Sequence, residues 1–332
     1  MNRRLVSRLI PAVLLGAATV AFAPAPAQAQ AQTDYPRQPI RLIVGFAPGG
    51  ISDVLARAIA AKMSNNLGQT VVVDNKPGAG STIAGDLVAK APPDGYTIWL
   101  QDMTTHAINV SLYPKLPYDS VKDFTPIALV ASTPLMLVVH PSSPARTVKE
   151  LAAQLKAAPG KMAYGSSGNG TILHLASEMF KTVEGLDVTH VPYKGSNPAT
   201  QAILGNEVAF VFSTMPPAMS NAKSGKLRAL AVTTPRRVGA APDVPTMIEA
   251  GIATFDVVLY SGILGPKGMD PAVVRRLNAE FAKAIQSDDI KKVFENIGAD
   301  PITTTSEAFG TMMGQEIAKY APLVKASGAK LE

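Results

Sequence analysis

Two glycine-rich turns, each set between an apolar run and a helical pattern, constrain this chain more than any other feature. The first is Phe46-Ala47-Pro48-Gly49-Gly50-Ile51-Ser52-Asp53, after the β-branched apolar run 40–45 and before helical spacing over 51–66. The second is Tyr164-Gly165-Ser166-Ser167-Gly168-Asn169-Gly170-Thr171, before helical spacing over 172–183. A strand, a glycine turn and a helix start in succession present free backbone N–H groups to an anion. Two such turns, far apart in sequence, predict one anion held from opposite sides.

The rest of the chain alternates in the same way. Strand patterns over 70–74 and 96–100 flank a helix over 81–91, which Pro92-Pro93-Asp94-Gly95 ends. This βαβαβ order implies a parallel sheet with right-handed crossovers. Residues 111–125 are irregular and proline-rich. The apolar run 127–139 reads as two strands, or as one that crosses between domains. A second block follows: helix 148–157, strand 162–164, helix 172–183, strand 188–191, helix 198–204 and strand 208–212. Strand 227–233 is placed to return to the first domain. After strand 257–264, helices over 271–287, 288–297 and 305–325 close the chain, with Asp270-Pro271 as N-cap and first helical residue. The pattern predicts an α/β protein of two lobes joined by two crossings. Lobe 1 is discontinuous, 30–130 plus 233–332, and lobe 2 is inserted at 131–232. Ligands of open α/β sheets sit at the carboxyl ends of strands, so the interlobe cleft is the expected site.

Residues 1–29 read as a secretory signal peptide: Arg3, Arg4 and Arg8, an apolar stretch, then Ala27-Gln28-Ala29. The apolar stretch is short of the roughly 20 residues a membrane span needs. The chain has no cysteine, which excludes disulfides and thiolate chemistry. Removing the three signal arginines from the formal charge of +6 leaves +3. Basic residues are scattered and aromatics few, which argues against a nucleic-acid partner. The four histidines, His106, His140, His174 and His190, show no metal-ligand spacing, and no cofactor is expected.

An ordered set of motifs resembles the receptors of tripartite tricarboxylate transporters, the Bug-type periplasmic solute-binding proteins. It comprises Phe46-Ala47-Pro48-Gly49-Gly50 with Asp53 and Ala56-Arg57, and Asn75-Lys76-Pro77-Gly78-Ala79-Gly80. Next come Val88-Ala89-Lys90-Ala91 with Pro93-Asp94-Gly95-Tyr96-Thr97, and Asp123-Phe124-Thr125-Pro126-Ile127. The last are residues 164–170 with His174-Leu175-Ala176, and His190-Val191-Pro192-Tyr193-Lys194-Gly195. The resemblance implies a two-lobed periplasmic binding protein fold (type II-like). It implies a receptor, not an enzyme, that traps an organic acid and delivers it to membrane permease subunits. Di- and tricarboxylates, acidic amino acids and aromatic acids are the ligands it implies. Ser81, Ala84, Ser213 and Tyr260 depart from residues common at those positions in the family, which leaves the acid open.

Gly49 and Gly50, with Pro48 in the same turn and Ser52 behind it, are candidate carboxylate donors. Asp53 is expected to cap the helix and pair with Arg57. Ser81 and Thr82 open a helix after Gly78-Ala79-Gly80, as either an anion-facing start or a plain turn. Ser166, Ser167, Gly168, Asn169 and Thr171 supply amides and hydroxyls from the second turn. Thr104, Thr105, Ser213 and Thr214 follow strands as polar wall residues. Tyr193 and Lys194 end a strand on the cleft side, with Lys194 either attracting a distal carboxylate or solvated. Phe46 and Tyr260 are apolar wall or core. A secreted hydrolase of small acids is the competing function. It fits less well, since Asn169 occupies the last glycine position of a G-x-S-x-G elbow after Gly165-Ser166-Ser167. A subunit that presents the same ligand to a sensor kinase shares the fold and the binding step.

Overall fold

One strand runs through both halves of the sheet. β4 (Phe124–Val139) is 16 residues long and nearly all apolar and buried. That pattern suits a strand covered on both faces. The structure is a computed structural model that describes residues 35–253 and 255–327. The signal peptide read at 1–29 lies outside those residues. No helix among them is long and apolar enough to cross a membrane.

The N-terminal part of β4 belongs to a first half-sheet. Its parallel triplet has β1 (Ile40–Val44) between β2 (Val71–Asn75) and β3 (Thr97–Asp102). β9 (Val258–Pro266) joins β3 to β4, antiparallel to both. The C-terminal part of β4 pairs antiparallel with β7 (Phe210–Thr214), at Leu135–Val138. Beyond it lies a second parallel triplet, with β5 (Ala163–Ser166) between β7 and β6 (Thr189–Pro192). β8 (Arg228–Val232) pairs with β4 at Met136–Val139, so it stays in the second half and does not return to the first. The short β10 (Asp300–Pro301) pairs with β4 at Ser132 and Ala131.

Both triplets place the strand before a glycine turn at their centre. α1 (Ile51–Leu67) follows β1 and α5 (Ile172–Glu184) follows β5. The remaining helices follow strand ends or cover the sheet: α2 (Thr82–Ala89), α3 (Met103–Leu112), α4 (Val148–Lys156), α6 (Ser196–Leu204), α7 (Met215–Lys223), α8 (Pro271–Ile285), α9 (Asp288–Ile297) and α10 (Ser306–Ser327). Sequence patterns missed α3 and α7. Every residue of α3 from Met103 to Asn109 is buried, so no polar face marks it as a helix. α7 carries Pro216 and Pro217 in its first turn, where the missing N–H groups would have had no intrahelical partner.

The chain crosses between halves twice, once along β4 and once on the way from β8 to β9. Thr233 ties the crossings together. Its fully buried hydroxyl donates to the Val257 carbonyl at 2.6 Å and accepts the Leu135 amide at 2.9 Å. Its own amide donates to the Leu135 carbonyl at 3.1 Å. Pro134, next to this tie, has no N–H to offer the ladder.

Thr233→Val keeps the side-chain shape and strands the Leu135 amide and the Val257 carbonyl. Stability in denaturant melts should fall by about 1–3 kcal/mol. An unchanged midpoint would remove Thr233 as the tie.

Candidate functional site

The first turn is built for a free helix start. Gly49 sits at φ 86°, open to glycine at little cost. Gly50, and not Ser52 or Asp53, is the N-cap of α1, with no side-chain cap. The Ile51, Ser52 and Asp53 amides therefore have no intrahelical acceptor. Asp53 lies one turn in and reaches back to accept the Gly49 amide at 3.0 Å. It also pairs with Arg57 at 2.9 Å and accepts from Asn75 at 3.0 Å. Burial pushes its carboxyl up, but hydrogen bonds from Arg57, Gly49 and Asn75 outweigh that and hold it below the usual range. Asn75 also donates to the Phe46 carbonyl at 2.9 Å, so the strand β2 end braces the turn.

The second turn spends most of its donors on itself. The Gly168 amide donates to Ser166 Oγ at 3.1 Å, the Gly170 amide to His174 Nδ1 at 3.2 Å, and the Thr171 amide to the Gly168 carbonyl at 3.3 Å. Thr171 Oγ1 donates to the Gly168 carbonyl and accepts the His174 amide, capping α5. The amides of Ser167 and Asn169 are left over.

The two halves meet directly. The Ala47 amide donates to the Lys194 carbonyl at 3.0 Å, and Asn197 Nδ2 to the Pro48 carbonyl at 3.2 Å. The Ile172 amide, at the start of α5, donates to Thr105 Oγ1 at 3.1 Å. Gly195 permits the first contact: a Cβ there would stand 3.0 Å from the Ala47 nitrogen.

A cavity of about 20 Å³ lies between the halves, lined by Phe46, Gly50, Ile51, Ser52, Asp102, Ser167, Leu173, Ser196, Thr214 and Leu259. That is room for one water. Five helices begin on it: Gly50 caps α1, Asp102 caps α3, Leu173 is in the first turn of α5, Ser196 begins α6 and Thr214 caps α7. Thr214 Oγ1 is buried and has no hydrogen-bond partner. Ser196 Oγ accepts the Thr214 amide at 2.8 Å and contacts Ser213 Oγ at 3.1 Å. An outer cleft of about 370 Å³ adjoins the cavity through Phe46 and Ser167 and includes Ser81, Gly168, Asn169, Tyr193 and Lys194. A wider hollow of about 980 Å³ lies elsewhere, between 234–240 and 291–301. Its lining carries Lys223, Arg236, Arg237 and Lys291 beside Glu295 and Asp300, and it includes neither glycine turn.

The candidate residues thus fall into three groups. Phe46, Gly50, Ser52, Ser167 and Thr214 line the cavity; Phe46, Ser81, Ser167, Gly168, Asn169, Tyr193 and Lys194 line the cleft. The others support these walls from behind. Gly49 and Pro48 shape the first turn and its contact with Asn197. Thr82 donates to the Ala79 carbonyl, and Thr104 to the Val258 carbonyl. Thr105 donates to the Asp102 carboxylate and accepts Ile172. Ser166 and Thr171 hold the second turn, and Ser213 bonds Thr200 at 2.8 Å behind Ser196. Tyr260 packs beside the Trp99 core cluster. Asp102, Ser196, Leu173 and Leu259 were not singled out by sequence; Asp102 before Thr104-Thr105 is an N-cap signal that would have revealed α3.

Asp102 is buried and accepts the Thr104 and Thr105 amides at 3.0 and 3.1 Å, besides the Thr105 hydroxyl. Burial pushes its carboxyl up to about 6 against those bonds. Behind the second turn, His174 and His190 stack with ring centres 4.1 Å apart, and Tyr164 stacks on both. His190 Nε2 lies 2.6 Å from Ser166 Oγ. This serine is fully buried and lines neither cavity nor cleft, so the contact supports the turn and presents no nucleophile.

The chain has well-documented kin. Residues 55–329 match the family described as tripartite tricarboxylate transporter family receptor. BugT of Bordetella pertussis is 37% identical over 321 residues, covering 96% of this chain and 98% of BugT. The solved structure of the periplasmic binding protein BugD has 34% identity and a TM-score of 0.86, covering 90% of this chain and all of BugD. R. palustris Rpa4515, solved with adipate, has 34% identity and a TM-score of 0.87 with the same coverage.

Burial lowers His174 to about 4, and burial with the neighbouring His174 lowers His190 to about 3. The folded state keeps both neutral, whereas the unfolded chain protonates them below about 6.5. Stability is therefore full above pH 6.5 and is lost as pH falls from there toward 4. The loss approaches about 1.4 kcal/mol per pH unit per histidine. Denaturant melts at stepped pH, with histidine NMR titration, check the window.

Proposed function

The chain belongs to the tripartite tricarboxylate transporter receptor family, whose members are periplasmic solute receptors and not enzymes, and on that premise we propose that it captures a small organic carboxylate in the periplasm and delivers it to the permease subunits of a tripartite transporter. The observation that carries this reading is that residues at the starts of five helices line one small cavity between the halves. The start of α1, whose Ile51 and Ser52 amides are uncapped, stabilises a nearby anion by about 0.3–1 kcal/mol, more where water is excluded, whereas α3 and α5 are already capped by Asp102 and Thr171. The adipate bound by the R. palustris relative fits the same chemistry.

In this reading the lobes are 30–130 with 233–332, and 131–232, hinged where Thr233 ties the crossings. The cavity has room for one water and no more, so an acid enters only when the lobes part. On closure its carboxylate takes the unused amides of Ile51 and Ser52 and the Thr214 hydroxyl. The rest of the ligand extends past Phe46 and Ser167 into the outer cleft. The Ala47–Lys194, Pro48–Asn197 and Thr105–Ile172 bonds then latch the lobes, each contributing about 0.5–1.5 kcal/mol. Closure removes water from the donors, which strengthens charge-assisted bonds.

Thermal shift of residues 30–332 against carboxylic acids and their amides tests the reading. An acid at about 100 times its Kd adds about 2.7 kcal/mol to stability, and its amide should add far less. No response to any acid, before or after unfolding and refolding to strip bound ligand, overturns it. Thr214→Val removes a hydroxyl that has no partner, so the ligand-free protein should lose no stability. Its affinity for the acid should drop about tenfold, measurable by titration calorimetry.

A further inference from the structure

Two basic dipeptides of the sequence, Arg236-Arg237 and Lys291-Lys292, play no part in the acid site. The fold brings Arg236, Arg237 and Lys291 to one hollow of about 980 Å³, together with Lys223 at the end of α7. Arg237 is engaged there, by Glu249 at 2.9 Å and the Pro242 carbonyl at 3.0 Å. Lys223, Arg236 and Lys291 form no ion pair among the described residues. They outnumber the two carboxylates of the lining, Glu295 and Asp300. The buried part of the lining is apolar, Phe294 and Ala299, with Val238 half-buried.

The walls of this hollow come from both sides of the crossings. α7 starts at the acid cavity, where Thr214 is its N-cap, and ends at the hollow with Lys223, about 13 Å away. Residues 234–240 follow Thr233, which ties the two crossings. α9 and β10 form the other wall, and β10 pairs with β4 at Ser132 and Ala131. The three walls meet at Gly298, where a Cβ would stand 2.9 Å from Met215 Cε and 3.4 Å from Ala240 Cβ.

We propose that this hollow docks an acidic segment of a protein partner, with carboxylates on Lys223, Arg236 and Lys291 and apolar side chains against Phe294 and Val238. Only the identity of that partner, the membrane protein that takes the acid, rests on the receptor reading. Basic clusters recognise acidic protein motifs in this way. A flat bilayer surface does not reach Phe294, and a small inorganic anion leaves most of the volume empty. Lys223 and α9 lie in opposite lobes of the proposed function. Parting of the lobes therefore changes the spacing of the cations, and the segment binds the closed and open receptor with different affinity.

Fluorescence anisotropy on residues 30–332 tests this with a labelled short peptide of repeated Glu-Glu-Leu-Ser. Binding that weakens with salt, and that falls at least about tenfold in the Lys223→Glu/Arg236→Glu/Lys291→Glu variant, supports the proposal. If melts show that this variant does not fold, Arg236→Glu alone should weaken binding about threefold. No binding of the peptide, or equal binding by the parent and the charge-reversed variants, overturns the site. A Lys-Lys-Leu-Ser repeat should not compete; if it does, charge is not what binds and the proposal falls. Inorganic pyrophosphate or phosphatidylglycerol vesicles that compete as well as the acidic peptide overturn the protein segment as occupant. A saturating acid from the thermal-shift panel should change peptide affinity about fivefold or more, and no change overturns the dependence on closure. Silence toward every acid overturns the receptor reading, while the peptide still decides the hollow.

Discussion

Everything at the site depends on β4 serving both halves of the sheet. Its first part is held by β9 and its last part by β7 and β8. Each half then carries its own parallel triplet, and each triplet ends at the same cleft. A strand of 16 residues, nearly all buried, contributes to both cores at once. The change of partner falls at Thr133–Leu135, beside Pro134, where ladder hydrogen bonding thins and Thr233 takes over. Under the proposed function, this is where the lobes hinge, because a few named bonds replace a continuous ladder there.

That geometry explains why the site needs no basic side chain in its inner wall. The uncapped start of α1 brings partial positive charge to one small volume, and the only formal charge lining that volume is negative, on Asp102, which caps α3. Lys194 stays at the outer cleft, exposed to solvent. Under the proposed function, selectivity among acids rests on acceptors and hydroxyls such as Thr214 Oγ1, which has no partner. The stacked His174 and His190 do a different task. They hold the second turn in shape from behind, through Gly170 and Ser166.

The α/β alternation, both glycine turns and the positions of α1 and α5 are legible along the chain, because each depends on neighbours in sequence. Periods of 2 and 3.6 mark strands and helices, and glycine and proline mark where they stop. The Asp53–Arg57 pair is legible for the same reason, one helical turn apart. α3 escapes this logic because burial on all sides erases its period. α7 escapes because its prolines read as a break.

The sequence by itself determined two strand–turn–helix units with anion-ready starts, since glycine conformation and hydrophobic period are local properties. Only the tertiary structure decided which hydroxyls face the cavity. Ser166, Thr171, Thr104 and Thr105 are chemically equal to Ser52 and Thr214, yet their bonds are spent on the turns and on the contact between halves. It also decided that Asp102 and Ser196, 94 residues apart in number, line one small cavity. A residue's partners across a closed cleft depend on how two separately legible halves meet, and that meeting is set by long-range packing around β4.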